Sequence, residues 1–300
     1  MPSLWPLPFL GRSVESGYDP VLAAEFDGPS SSPSSYLHTL TRRASRIDPT
    51  ADQRTIIIVA CVYAVVIAIL WHFPILKYSL YGFKLLTVGM HEFSHAFVGL
   101  ITGAKIESIK LEPNEGGATR MRGGVAWLTL PAGYLGSSFL GAAMIACSFD
   151  IRASKVMSIV LGVIFLMTAF WARRDWLTLL VLFITAGILV AFWFIAHGVA
   201  LQFFVLFVGV MSCLYSVWDV AEDLVFRKVE ESDASAFSRL VGGPPQLWGV
   251  FWLFISVVFF AAGLVIGIVA FKEPLKQQQS EDFLNTRRGL RDDFVVLRPR

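Results

Sequence analysis

The sequence predicts an all-α polytopic membrane protein of about seven transmembrane helices, with a short β-hairpin-like loop between spans two and three. Apolar residues make up 55% of the 300 residues and charged residues only 16%, whereas soluble domains are about a quarter charged. The mean hydropathy is +0.62, and the apolar residues form runs long enough to cross a bilayer. This composition excludes a soluble globular protein, and a net charge of only +2 gives no indication of nucleic-acid binding.

Two polar tails are predicted to flank the membrane domain. Residues 1–54 are rich in Ser and Pro, which is typical of a disordered tail. Residues 272–300 are polar and are expected to form a flexible tail. The transmembrane domain is therefore expected to cover residues 55–271.

Seven spans account for the apolar runs. One run without Asp, Glu, Lys or Arg extends from Trp176 to Trp218. As one helix it would be about twice as long as the hydrocarbon core is thick, so it is predicted to break near Ala196-His197-Gly198. The predicted spans are Thr55–Leu76, Tyr78–Ile101, Val125–Cys147, Val156–Ala172, two helices within Trp176–Trp218, and Trp248–Phe271.

The distribution of Lys and Arg predicts the orientation. If seven spans alternate, most of these cations lie on the N-terminal side of the bilayer, and Lys272 lies on the opposite side. Cytosolic loops carry the excess of Lys and Arg, so the N terminus is predicted to be cytosolic. We expect a multi-pass integral membrane protein of an endomembrane (ER or Golgi) rather than of the plasma membrane.

The loop 102–124 contains a turn signal. Pro113-Asn114-Glu115-Gly116-Gly117 follows a stretch in which apolar and polar residues are mixed, a pattern that favours a β-hairpin. The alternative is a plain connector between spans two and three.

Span two carries the sequence His91-Glu92-Phe93-Ser94-His95. Residues four apart lie on one face of a helix, so both imidazoles can reach a single ion, and zinc is bound by imidazole nitrogens at such sites. Glu92 is expected to handle protons on a water molecule at this ion. The alternatives are an internal polar cluster that stabilises the bundle, or a proton relay.

A hydrolytic zinc site needs a third protein ligand. His38, His72 and His197 lie in the tail or near span ends away from the motif, so a carboxylate is favoured. Asp219 ends span six, which runs in the same direction as span two and approaches the same face. Asp223, one turn later, is the second choice, and Asp219 could instead be a polar anchor at the helix end.

Span three is rich in small residues. Gly133 and Ser137 have the small-xxx-small spacing that permits close helix packing. The stretch is predicted to be a packing face, and it could lie against the motif helix and leave room for a substrate strand.

Together these residues resemble a known class of enzymes. The motif from His91 to His95, the loop Glu115-Gly116-Gly117-Ala118-Thr119 and the stretch Pro131-Ala132-Gly133-Tyr134-Leu135-Gly136 are similar to the site-2-protease-like intramembrane zinc metallopeptidases. The closer resemblance is to the compact B-like branch of peptidase family M, number fifty, found in bacteria and fungi. It covers roughly residues 55–270, and Trp218-Asp219 with Ser232-Asp233-Ala234 also looks like that branch.

The resemblance implies a function for the domain 55–271 as a transmembrane metallopeptidase. His91 and His95 would be zinc ligands, Glu92 the catalytic base and Asp219 the third ligand. The Leu-Asp-Gly motif that supplies the third ligand in well-studied site-2 proteases is missing from this chain. The expected partners are the lipid bilayer and a membrane-protein substrate, with no nucleic acid.

Two other functions fit the same residues. A pseudoprotease or scaffold would bind client membrane helices without turnover. A metal permease would use His91, His95 and Asp219 as a transit site, but the chain has no repeated halves of the kind that transporters have.

Overall fold

The computed structural model describes residues 48–73, 76–114, 116–226, 232–274 and 277–278. All of them belong to one compact unit, Arg46–Arg300. The predicted N-terminal tail up to residue 47 and the C-terminal tail from residue 279 lie outside the described residues.

Seven long helices make up most of this part of the chain, which confirms the predicted all-α class. They are α1 (Ala51–His72), α2 (Tyr81–Ile101), α3 (Ala126–Cys147), α4 (Ile151–Trp171), α5 (Trp176–Phe194), α6 (Val199–Phe226) and α8 (Pro245–Ala270), with a short α7 (Asp233–Val241) before the last. Five stretches of the described residues are long and apolar enough to cross a membrane. One of them, Trp176–Tyr215, joins α5 to α6, and α2 is not among the five.

Polar caps set two helix starts earlier than predicted. α1 begins at Ala51 rather than Thr55, because Thr50 Oγ1 accepts from Gln53 N at 3.3 Å and Gln53 Oε1 accepts from Thr50 N at 3.0 Å. α4 begins at Ile151 rather than Val156, because the Asp150 side chain accepts from Ala153 N at 2.8 Å. An apolar run alone misses these turns, since their polar residues belong to the helix.

The predicted break between spans five and six is confirmed. A 3-10 turn, Ile195–Gly198, separates α5 from α6. Ala196 and His197 have φ values of 50° and 56°, and Gly198 has 92°. Three successive residues in the left-handed region end α5 and redirect the chain into α6.

Aromatic contacts with α6 give the direction of α1 and α2. Later residues of each helix contact later residues of α6, in the pairs Tyr63–Phe207, Trp71–Trp218, Phe83–Phe204 and His91–Tyr215. Both helices therefore run parallel to α6. The common direction of α2 and α6 is the one predicted for spans two and six. The simple alternation of spans assumed in the cation count is wrong for α1, which was expected to run opposite to α6.

The two ends of the helical domain show the same difference. Lys272 Nζ donates to the Asp48 carbonyl at 2.7 Å, so the residues before α1 and after α8 lie at one end of the bundle. The cation count put them on opposite sides because it assumed an odd number of alternating spans. The cytosolic position of the N terminus stays a prediction.

α3 lies at the centre of the bundle, as its small residues predict. A Cβ on Gly141 would lie 2.8 Å from the Gly209 carbonyl of α6, and one on Gly263 of α8 would lie 2.7 Å from the Ala142 carbonyl. On the other face, a Cβ on Gly136 would lie 2.6 Å from Ser94 Cβ. α3 therefore packs closely against α6 and α8 and also against the motif helix α2.

The predicted hairpin is present in the loop 102–124. Strands β1 (Lys105–Leu111) and β2 (Gly117–Arg122) are antiparallel. Leu111 N donates to Asp175 Oδ2 at 3.3 Å and to Thr178 Oγ1 at 3.0 Å, which ties the end of β1 to the start of α5. Both strands contact the motif helix α2.

α7 is an additional short helix in the polar loop before α8. Ser232 caps it, with its side chain accepting from Ser235 N at 3.3 Å. Phe237 is buried against Trp248 and Trp252 of α8, and Trp252 stacks on Tyr134 of α3. This aromatic cluster fixes the start of α7 beside the motif helix.

Candidate metal centre

The two histidines of the motif face the same point. His91 Nε2 and His95 Nε2 are 3.0 Å apart, and their ring centroids are 4.7 Å apart at an interplanar angle of 78°. Both residues are buried, at 6% and 7% exposure. One helical turn separates them, as the predicted i, i+4 spacing requires.

The third group at this point is Asp233, the first residue of α7. Its Oδ2 lies 2.9 Å from His91 Nε2 and 3.0 Å from His95 Nε2. Burial raises the pKa of Asp233, but the neighbouring His95 and His91 lower it more, so the pKa of this carboxyl lies well below its ordinary value. The group is therefore held as a carboxylate.

One of the two rings has a backbone partner that orients it. His95 Nδ1 lies 2.6 Å from the Thr129 carbonyl of α3 and must donate to it. His95 Nε2 in a neutral ring is then left with a lone pair that points at Asp233 and His91. His91 Nδ1 is buried with no hydrogen-bond partner in the described part of the chain.

Gly133 of α3 leaves the space beside the two rings. A Cβ at this position would lie 2.4 Å from both His91 Nε2 and His95 Nε2. Any side chain here would therefore crowd the two Nε2 atoms.

Glu92 lies beside these groups and is held by the hairpin. Thr119 Oγ1 of β2 is 2.7 Å from Glu92 Oε2 and 2.9 Å from the Glu92 carbonyl oxygen. A Cβ on Gly117 would lie 2.8 Å from Glu92 Oε1, so this glycine makes room for the carboxylate. Glu92 is buried, at 7% exposure.

A cavity of about 320 Å³ opens onto the cluster. Glu92, His95 and Asp233 form its polar wall, and β2 and the start of α3 form the rest, with Gly117, Ala118, Thr119, Met121, Ala126, Thr129 and Leu130. The cavity is therefore bounded by a strand of the hairpin on one side and by the reactive groups on the other.

The three groups fit a zinc ion. Two imidazole nitrogens and one carboxylate oxygen are ligands that zinc accepts, and three protein ligands are the number found in hydrolytic sites. In a neutral His95 ring that donates through Nδ1, Nε2 cannot donate, so its lone pair faces His91 Nε2 and the Asp233 carboxylate. A divalent cation satisfies all three.

The predicted site residues are only partly brought together. His91, Glu92 and His95 lie in one cluster. Asp219 and Asp223 belong to the helix α6, but their side chains are outside the described residues. The choice of Asp219 as third ligand therefore stays a prediction, and the carboxylate that the structure brings to the histidines is Asp233.

Asp233 was not predicted as a ligand, although the sequence contains a signal for the helix that carries it. Ser232 is a good N-cap, and Ala234, Phe237 and Leu240 recur every three residues, which is typical of a short amphipathic helix. This pattern indicates α7. It does not indicate which helix α7 packs against.

The comparison with known families gives one match. Residues 60–263 match the family described as Peptidase M50B-like, which is more than half of the chain. No curated protein and no solved structure shows a significant similarity to the chain. The matched range contains the motif helix, the hairpin, the central helix α3 and Asp233. The chain belongs to the Peptidase M50B-like family.

Proposed function

We propose that the protein is an intramembrane zinc metalloprotease that hydrolyses peptide bonds of membrane-embedded or membrane-proximal substrates. The observation that carries the proposal is the convergence of His91 Nε2, His95 Nε2 and Asp233 Oδ2 within 3.0 Å, with Glu92 on the wall of the same cavity. Membership of a membrane peptidase family supports the same reaction.

In this proposal His91, His95 and Asp233 hold the metal. A bound zinc ion supplies a Lewis acid that lowers the pKa of a water molecule toward neutrality and polarises a peptide carbonyl. The backbone partner of His95 fixes the direction of its Nε2 lone pair. Gly133 keeps the point between the rings free.

Glu92 moves the protons in the reaction. Its carboxylate accepts a proton from the attacking water and returns that proton to the leaving amine. With Oε2 held by Thr119, Oε1 is the oxygen left to exchange protons at the cavity. The buried position of Glu92 limits competing bulk water.

The hairpin is proposed to hold the substrate. Peptide bonds in a helix are shielded, so a membrane helix must unwind before it is cleaved. The outer edge of a β-strand can pair with an extended peptide. β2 borders the cavity, whereas the end of β1 is tied to α5, so β2 is the strand on which an added peptide would reach Glu92.

The variant Glu92→Gln tests the reaction. It keeps the size of the side chain and leaves the three ligands in place, so we expect unchanged zinc content and loss of proteolysis. The measurement is cleavage of a labelled transmembrane reporter by purified protein in vesicles, together with metal analysis. If wild type and Glu92→Gln complement the loss of the protein in cells equally well, and neither cleaves the reporter, the scaffold function would be favoured instead.

Metal analysis of aspartate variants tests the ligand set. We expect about one zinc per chain in the wild type, loss in His95→Ala and Asp233→Ala, and retention in Asp219→Ala. The expectation follows from the 2.9 and 3.0 Å approaches of Asp233 to the two histidines. If zinc is lost in Asp219→Ala and kept in Asp233→Ala, the third ligand is Asp219, as predicted from the sequence.

A further inference from the structure

The strand β2 touches Glu92 at two positions. Thr119 Oγ1 lies 2.7 Å from Glu92 Oε2 and 2.9 Å from the backbone carbonyl of the same residue. A hydroxyl has one proton, so it donates to the carboxylate or to the carbonyl and can alternate between them. Either way, Thr119 ties β2 to the motif helix at the residue between the two turns that carry His91 and His95.

Gly117, two residues earlier on the same strand, makes the second approach. A Cβ here would lie 2.7 Å from Glu92 Cγ, 2.8 Å from Glu92 Oε1 and 2.9 Å from Val88 Cγ1. Because alternate residues of a strand point to one face, Gly117 and Thr119 face the same side of the hairpin. One residue restrains Oε2, and the other leaves the space that Oε1 occupies.

We infer that β2 positions the catalytic base, with Thr119 as the positioning residue and Gly117 as the space that it requires. This inference rests on the proposed function, because Glu92 must be the base for its orientation to matter. Thr119 acts through Glu92 and has no contact with His91, His95 or Asp233 among the hydrogen bonds of the described residues.

The arrangement couples substrate alignment to base alignment. β2 is the strand that a substrate peptide would extend, and the same strand fixes the carboxylate that removes a proton from the attacking water. Because Thr119 anchors β2 on α2 at Glu92, a peptide paired with β2 would lie in a fixed register relative to the Glu92 carboxylate. Misplacement of a reacting group by about 1 Å can lower a rate by about 100-fold.

Two substitutions at position 119 test the inference. Thr119→Val keeps the shape and removes the donor, whereas Thr119→Ser keeps the donor. The matched control is Thr168→Val in α4, a buried threonine whose Oγ1 lies 2.8 Å from the Ile164 carbonyl, far from the motif in sequence. All variants are made in the full chain, purified and loaded with zinc.

The first measurement is the cleavage of labelled casein, an unstructured generic substrate, in detergent. We expect Thr119→Val to lower kcat by up to about 100-fold with little change in KM or zinc content. Thr119→Ser and Thr168→Val should keep the kcat of the wild type. An unchanged kcat in Thr119→Val, or an equal loss in Thr119→Ser, would overturn the inference.

The second measurement does not require activity. The infrared carboxylate band of Glu92, assigned by its disappearance in Glu92→Gln, reports the hydrogen bond to Oε2. We expect this band to shift in Thr119→Val and in Gly117→Ala but not in Thr119→Ser or Thr168→Val. An unshifted band in Thr119→Val overturns the inference even if no casein is cleaved. Absence of cleavage by the wild type, with the band shifted, would contradict only the proposed function.

Discussion

The helices α2 and α5 have nearly the same length and opposite characters. α2 has 21 residues, of which fourteen are buried, including Lys84, His91, Glu92 and His95. α5 has 19 residues, of which five are buried, and it contains no Asp, Glu, Lys, Arg or His. α5 lies within a stretch apolar enough to cross a membrane, whereas α2 is not part of any such stretch.

The comparison shows that the exposed apolar helix and the helix that carries buried ionisable residues are different helices. A helix that faces lipid must be apolar around most of its surface, because an unpaired charge in hydrocarbon costs several kcal/mol. A helix enclosed by other helices can carry ionisable groups if they are paired or bound to metal. In this protein the two histidines of the candidate metal centre therefore lie on the long helix that hydropathy identifies least well.

The largest expected effect comes from filling the space beside the histidines. Gly133→Ala places a methyl group 2.4 Å from both Nε2 atoms, so we expect loss of zinc and of activity. Gly187→Ala in α5 is the control, because a Cβ there has no atom within 4 Å. Metal analysis of the two purified variants checks this, and normal zinc content in Gly133→Ala would contradict the proposed position of the metal.

The next effect concerns the helix that supplies Asp233. Phe237→Ala removes the buried ring that anchors α7, and such a truncation costs about 3–5 kcal/mol in a packed core. We expect weaker zinc binding, measured by competition with a chelator. Phe183→Ala in α5, where the ring is 72% exposed, should leave zinc affinity unchanged. Equal affinities in both variants would indicate that α7 does not depend on this anchor.

A smaller effect is expected from a charge on the exposed face of α5. Ile184 is 55% exposed, and a lysine near the centre of a membrane helix costs about 2.5–3.5 kcal/mol. Ile184→Lys should therefore reduce membrane integration, measured as the fraction resistant to carbonate extraction. By comparison, the lysine of α2, Lys84, is buried, and its Nζ lies 5.6 Å from the centroid of the Trp71 ring. Full integration of Ile184→Lys would show that α5 is shielded from lipid.

Much of the fold follows from local patterns in the sequence. The break at Ala196-His197-Gly198 was predicted from length alone, because one helix of that span would exceed the bilayer. The hairpin followed from the turn residues in the loop 102–124. The pairing of His91 with His95 followed from helical spacing. Each of these predictions depends on residues that are close together in the chain.

Other features depend on contacts that no local pattern reveals. Asp233 reaches the histidines because Phe237 packs on Trp252, which in turn stacks on Tyr134. The direction of α1 depends on contacts with α6, such as that of Trp71 with Trp218. The hydrogen bond from Thr119 to Glu92 depends on how the hairpin packs against α2. Short segments of the sequence contain these residues but do not indicate which of them come into contact.

The separation of the converging groups along the chain has a consequence for biosynthesis. Asp233 is 142 residues after His91, and the aromatic anchor of its helix comes from α8. A ribosome must therefore translate the chain through α8 before the histidines can be brought to Asp233. Nascent chains that end before α8 would carry the motif helix without the third group of the candidate metal centre.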